Sequence, residues 1–170
     1  MTYKWIGAIL VITACGGFGI SLAAGYRREE ANLRQLLRML KFMQRQLRFR
    51  LTPLPELCRQ AAGEARGQLR DVMLYLAAEL DSRIAPDVYS CMRASLLRAE
   101  ELPRRVRRLL AQLGRSLGRF DLEGQLEGLE EIAESCVQQL EQLQKGKIQN
   151  LRSYRTLGLC AGAALAILFL

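Results

Sequence analysis

Apolar residues recur at Leu33, Leu36, Leu37, Leu40, Met43, Leu47 and Leu51. This three-and-four spacing lays one apolar stripe along a helix, and a basic face lies opposite it. Thr52-Pro53-Leu54-Pro55 ends that helix, because a proline ring and its missing N–H cannot continue a helix interior. The same prolines suit the first turn of the next helix, with Glu56 placed favourably near its positive end. That second helix is expected to end near Gly63 to Gly67. A third covers about 68–80, with Leu69, Val72, Met73, Leu76 and Leu80 on one side. Pro86 is expected to open a short helix through Leu97, and Pro103 one through about Leu117. No period-two alternation is long enough for a strand.

The last helix reads as the longest. Leu122, Leu126, Leu129, Ala133, Cys136, Leu140 and Leu143 alternate at four and three, an a/d seam suited to an ordinary bundle contact in preference to a separate dimeric coiled coil. The pattern loosens at Gly146, where the helix either continues or kinks. These segments predict an all-α fold, an antiparallel bundle of about six helices.

Both ends of the chain are more apolar than this middle. Trp5 to Gly25 contains no charged residue, and about 21 helical residues reach roughly 31 Å, enough to cross a hydrocarbon core. Leu157 to Leu170 is again uncharged, and Tyr154 and Arg155 before it suit a headgroup layer. The expected organisation is an N-terminal membrane helix over 1–26, a helical bundle over 27–156 and a C-terminal membrane segment over 157–170. Small residues spaced by four, Gly17, Ser21 and Gly25 on one span and Gly158, Gly162 and Ala166 on the other, permit close packing of the two. Ile12-Thr13-Ala14-Cys15 has the look of a lipobox, which would make Cys15 a lipidated first residue. The chain stays apolar beyond it, where a lipoprotein begins a polar tether.

Charge orients the spans. Arg27, Arg28, Arg34 and Arg38 follow the first, and Lys145, Lys147, Arg152 and Arg155 precede the second, whereas only Lys4 lies outside. The positive-inside bias therefore places 27–156 in the cytoplasm. Cys58, Cys91 and Cys136, an odd number without C-x-x-C spacing, suggest neither a disulfide framework nor a zinc site and suit a reducing compartment. With 170 residues, a net charge of +8 and no histidine, the chain lacks the commonest general base and metal ligand. It also lacks a phosphate-cradling G-x-x-x-x-G-K-[ST] run. Paired carboxylates such as Glu130 and Glu131 fall on an exposed helix. The composition thus leans away from an enzyme and from a cofactor.

Within the bundle the charge is sorted. Arg104, Arg105, Arg107, Arg108 and Arg115 lie on one helix, and Glu123, Glu127, Glu130, Glu131, Glu134 and Glu141 on the next. One reading has the two helices facing each other with opposite signs, each exposed pair contributing at most about 1 kcal/mol. The others make the arginines a face for an acidic partner or for anionic lipid. Nucleic acid is disfavoured by the absence of a recognisable motif and the scarcity of aromatics.

The joint between those two helices, Leu113-Gly114-Arg115-Ser116-Leu117-Gly118-Arg119-Phe120-Asp121 followed by Gln125, has a local reading of its own. Gly118 suits a left-handed helix stop and Asp121 an N-cap. The same run resembles the L-G-x-[ST]-L-G-x-x-D-x-x-x-Q signature of the stage III sporulation protein AB family of endospore-forming bacteria. Leu113, Gly114, Leu117, Gly118, Asp121 and Gln125 carry the match. The basic first helix, the Thr52-Pro53-Leu54 turn and the apolar chain ends are similar too, and Phe120 is a minor departure. That family is in turn similar to the cytoplasmic domain of the type II secretion platform protein F.

The resemblance implies a non-enzymatic adaptor of the channel between mother cell and forespore, in the mother-cell membrane that surrounds the forespore. Its implied partner is a cytoplasmic secretion-type ATPase, stage III sporulation protein AA, alongside other membrane components. Arg104, Arg105, Arg107 and Arg108 are the candidate contacts, and an oligomer is compatible with this role. The competing reading is a lipid-surface or scaffold protein without an ATPase partner, using the basic helix from Arg34 to Arg50.

Overall fold

The computed structural model describes the backbone of residues 2–50, 52–82, 87–118 and 121–169, and the side chains of 25–146 within those stretches. Six helices follow one another: α1 Thr2–Arg50, α2 Leu54–Ala62, α3 Gln68–Ser82, α4 Val88–Leu97, α5 Arg104–Ser116 and α6 Leu122–Phe169. No strand occurs among the described residues. The first and last helices of the bundle are each continuous with the neighbouring chain end, and α6 runs unbroken through Gly146.

Local stereochemistry sets the breaks. Pro53 is the N-cap of α2, with Pro55 in the first turn and Gly63 at its C-cap. Glu56 there accepts hydrogen bonds from Gln60 and Arg59, which hold its carboxyl below the usual carboxylate range. The α2–α3 joint turns at Gly67, φ +58°, and the Arg66 N–H donates to Gln35 Oε1 of α1 at 2.9 Å. α4 departs from expectation at its start. Asp87, in extended backbone, accepts from the Ser90 N–H at 3.1 Å and caps a helix beginning at Val88. A side-chain acceptor satisfies one of the exposed first-turn donors, so the start follows Asp87. Pro86 lies outside the described residues. Pro103 caps α5, which stops at Leu117.

Chain neighbours pack on one another around the bundle, and α6 closes it against α1 while also meeting α5. The α1 stripe forms the centre: Leu33, Leu36, Leu40 and Met43 are fully buried, Leu47 nearly so, and Leu37 is half-buried. Met39, off the expected stripe, is buried as well, because α1 is covered by α2, α5 and α6 on more than one side. Leu51 lies outside the described residues. On α6, Leu129, Ala133, Cys136 and Leu143 are buried as expected. Leu122, expected to lead the seam, is instead 39% exposed, and Ile132, outside the seam, is buried. The reason is a second packing face. One turn before Ile132, Gly128 sits against Ser116 of α5.

α1 and α6 run antiparallel. The Cys136 thiol donates to the Leu33 carbonyl at 3.2 Å; Leu37 and Lys41 line one hollow with Ala133 and Glu130, and Lys41 and Arg48 line the next with Glu130 and Leu126. By this register Gly25 and Gly146 lie at one end of the bundle, here the near end. The opposite, far end holds the α1–α2 and α5–α6 joints. Among the described residues no helix is long and apolar enough to cross a membrane. The expected spans over 1–26 and 157–170, the small-residue stripes and Cys15 fall almost wholly outside the described side chains.

Candidate functional site at the far end

The residues that carry the sequence signature meet at the far end. Leu113 and Leu117 of α5 are fully buried. Gly114 is buried between them, and a Cβ there would stand 2.7 Å from Met92 Cβ and 3.5 Å from the Tyr89 Cα. The first of these is shorter than real Cβ contacts, so the bare backbone lets α5 lie directly on α4. Gly118 has φ +76°, the left-handed region that side chains disfavour. A Cβ there would also come within 2.6 Å of Val88 Cγ2. This glycine is therefore required twice, by conformation and by space.

Beyond the turn, Asp121 Oδ1 accepts from the Gly124 N–H at 3.1 Å. Its carbonyl takes the first helical bond, from the Gln125 N–H at 3.0 Å. The expected cap is therefore present. Arg119 and Phe120 lie outside the described residues. Gln125 and Gly118 then border a cleft of about 240 Å³ with Leu47, Thr52, Leu54 and Leu122. The two sequence features singled out independently, the Thr52-Pro53-Leu54 turn and the glycine-rich joint, thus form the two walls of one cleft. Sequence distance concealed this.

The arginines of α5 do not form one face. Arg104, Arg108 and Arg115 are exposed along a strip, whereas Arg105 and Arg107 sit on its flanks, half-buried. Arg105 Nε lies 3.5 Å from Glu29 of α1, and the neighbouring Arg28 pairs with Glu101 at 2.7 Å. Both contacts are at the near end, so α5 begins there and runs outward. The expectation that α5 arginines face α6 acids is not met: among the described residues no ion pair joins those helices. At Gly128 the two helices meet instead through small groups, against the Cβ of Ser116. Arg115 stacks over Tyr89, 4.9 Å from the ring centroid, and its Nη2 donates to the hydroxyl, which lowers the phenol's pKa.

Nucleophile chemistry finds little support. Cys58, Cys91 and Cys136 are free and buried. Burial pushes the Cys58 thiol up to about 12 and Cys136 to about 11, and raises Cys91, so the reactive thiolate is suppressed in each. No group of three metal-ligating side chains comes together among the described residues.

Residues 4–170 match the family model described as stage III sporulation protein AB. A solved structure described as stage III sporulation protein AB is similar at a TM-score of 0.64 and 17% identity, over 72% of this chain and 98% of the other. At that identity the likeness speaks for the fold. No curated protein matches the sequence.

Proposed function

The chain belongs to the stage III sporulation protein AB family, and from that premise we propose that it serves sporulation as a non-enzymatic membrane adaptor. In this reading residues 1–26 and 157–170 cross the mother-cell membrane around the forespore, and the bundle over 27–156 faces the cytoplasm. There it couples a secretion-type ATPase, stage III sporulation protein AA, to the rest of the channel. The observation that carries the proposal is the antiparallel α1–α6 pair, two unbroken helices that leave the bundle at the same end. A push on the bundle therefore reaches both chain ends through continuous backbone.

The exposed α5 strip divides by depth. In this reading Arg104, beside the Arg105–Glu29 pair, meets anionic headgroups, whereas Arg108 and Arg115, further along α5, meet an acidic protein surface. Arg107 flanks the strip, and Arg105 is already engaged by Glu29. The test is binding of the full chain in detergent to the purified ATPase at physiological salt. Combined Arg108→Glu and Arg115→Glu should weaken binding about tenfold or more, with helicity unchanged. Unaltered binding would clear this strip. The lipid-surface reading is favoured by the position of Arg104: it expects Arg104→Glu to lower adsorption to anionic vesicles and expects no saturable ATPase binding.

A further inference from the structure

The outer face of the α1–α6 pair is a long groove whose two rims carry opposite charge. Two contiguous hollows of about 380 and 390 Å³ share Lys41, Gln44 and Glu130. The α1 rim is basic, with Lys41, Arg45 and Arg48 exposed, and the α6 rim is acidic, with Glu130 and Glu134 exposed. Apolar groups line the space between them: Leu37, Leu126 and Ala133 in the floor, Val137 at 40% exposure and Phe49 at 79%. Among the described residues none of these five charges has an ion pair within its own chain. The rims therefore face each other across the groove without closing it.

We propose that this groove is the contact between two copies of the chain, related by a two-fold axis running along the helices. Such an axis sets α1 of each copy against α6 of the other. It also preserves height, and within one copy Lys41 shares a hollow with Glu130 and with Glu134 one turn along α6. Lys41 of each copy thereby comes near the height of its partner's Glu130 and within a turn of its partner's Glu134, and Arg45 and Arg48 fall toward Glu130 and the turn before it. A partner surface of one sign would be repelled by one rim. A second copy satisfies both rims at once and covers Phe49 and Val137. The same axis keeps both near ends pointing one way, so two copies fit in one membrane; this last point alone rests on the membrane reading given above.

Charge reversal tests the pairing with the full chain in detergent, by sedimentation across a concentration series. The wild type should dimerise, more weakly at high salt. Lys41→Glu with Arg45→Glu, and separately Glu130→Lys with Glu134→Lys, should each weaken the dimer about 30-fold or more, since like charges then meet at both halves of the interface. An equimolar mixture of the two variants should recover a heterodimer, because every reversed rim again meets its opposite. Carbodiimide coupling of mixed isotopically light and heavy wild-type chains should yield hybrid peptides joining Lys41 to Glu130 or Glu134, with no substitution needed. A monomeric wild type, variants that pair normally, or a mixture without heterodimer overturns the proposal. Alkaline carbonate extraction reads membrane anchoring separately, so loss of pairing and loss of anchoring remain distinguishable.

Discussion

The two ends of the bundle are held by different physics. At the far end the contacts are steric: Gly114 against Met92 and Gly118 against Val88, each at distances no side chain could occupy. At the near end they are electrostatic, Arg28 with Glu101, both open to solvent, and Arg105 with Glu29, both half-buried. Close packing is short-ranged and indifferent to salt, and a single methyl group perturbs it. Exposed ion pairs are screened, and each contributes roughly 0–1 kcal/mol. The far end is thus fixed in shape, whereas the near end is adjustable.

The hardest blow to that contrast is Gly118→Ala. It combines the cost of a positive φ with overlap on Val88, and a loss of about 2–4 kcal/mol is expected in denaturant unfolding. Adding Val88→Ala should return part of the loss but not the conformational share. Gly114→Ala should cost about 1–3 kcal/mol, because Met92 is held by the core and cannot fully retreat. Either substitution leaving the midpoint unchanged would mean that the far end is looser than its distances imply.

Alkaline pH probes the same side of the contrast. Cys58, one turn from Leu54, keeps its proton to about pH 12 when folded, whereas an unfolded thiol releases it near 8.5–9. The unfolded chain therefore binds fewer protons above that point, and stability falls as pH rises toward the folded value. The expected drop between pH 9 and 11 is about 2–3 kcal/mol from this thiol, and Cys136 adds a smaller share. Cys58→Ala should flatten the profile in urea melts, although it shifts the whole curve by a cavity cost.

Smaller effects follow. Asp121→Ala removes the α6 cap and should cost about 1 kcal/mol, and Asn at the same position should retain most of it. At the near end, Arg28→Ala, Glu101→Ala and the pair together define a double-mutant cycle. Its coupling energy should be a few tenths of a kcal/mol in dilute buffer and vanish in molar salt. A coupling that survives salt would show that the near end, too, is held by packing.

What the sequence disclosed follows the same division. Pro53, Gly118 and Asp121 announced their turns because each acts locally, the first two through their own backbone and Asp121 through a side-chain cap three residues on. The α1 stripe was legible because its main buried face leaves a period, whereas Met39, on a second covered side, was not. Leu122 and Ile132 on α6 were not: the four-three alternation assumes one packing face, and α6 has two. The partners of Arg28 and Arg105 were equally hidden, since a flexible charged side chain leaves no spacing that says which distant acid it meets. Pro86 drew the start of α4 two residues early, because Asp87 supplies the cap and the helix begins at Val88. The meeting of Thr52-Pro53-Leu54 with Gly118 and Gln125 in one cleft required the folded chain.

The hydrogen bond from Cys136 to the Leu33 carbonyl joins positions 103 residues apart. During synthesis the first stripe emerges long before its closing partner, and at ~5–20 residues per second the interval is about 5–20 s. Throughout it Leu33, Leu36 and Leu40 lack their α6 cover and depend on the short helices that arrive in between. Completion of the bundle is a loop-closure step of high contact order, despite an all-helical fold whose other contacts are mostly local. Nascent chains halted before residue 129 should therefore expose this stripe to chaperones and proteases, and release of the last helix should end that exposure.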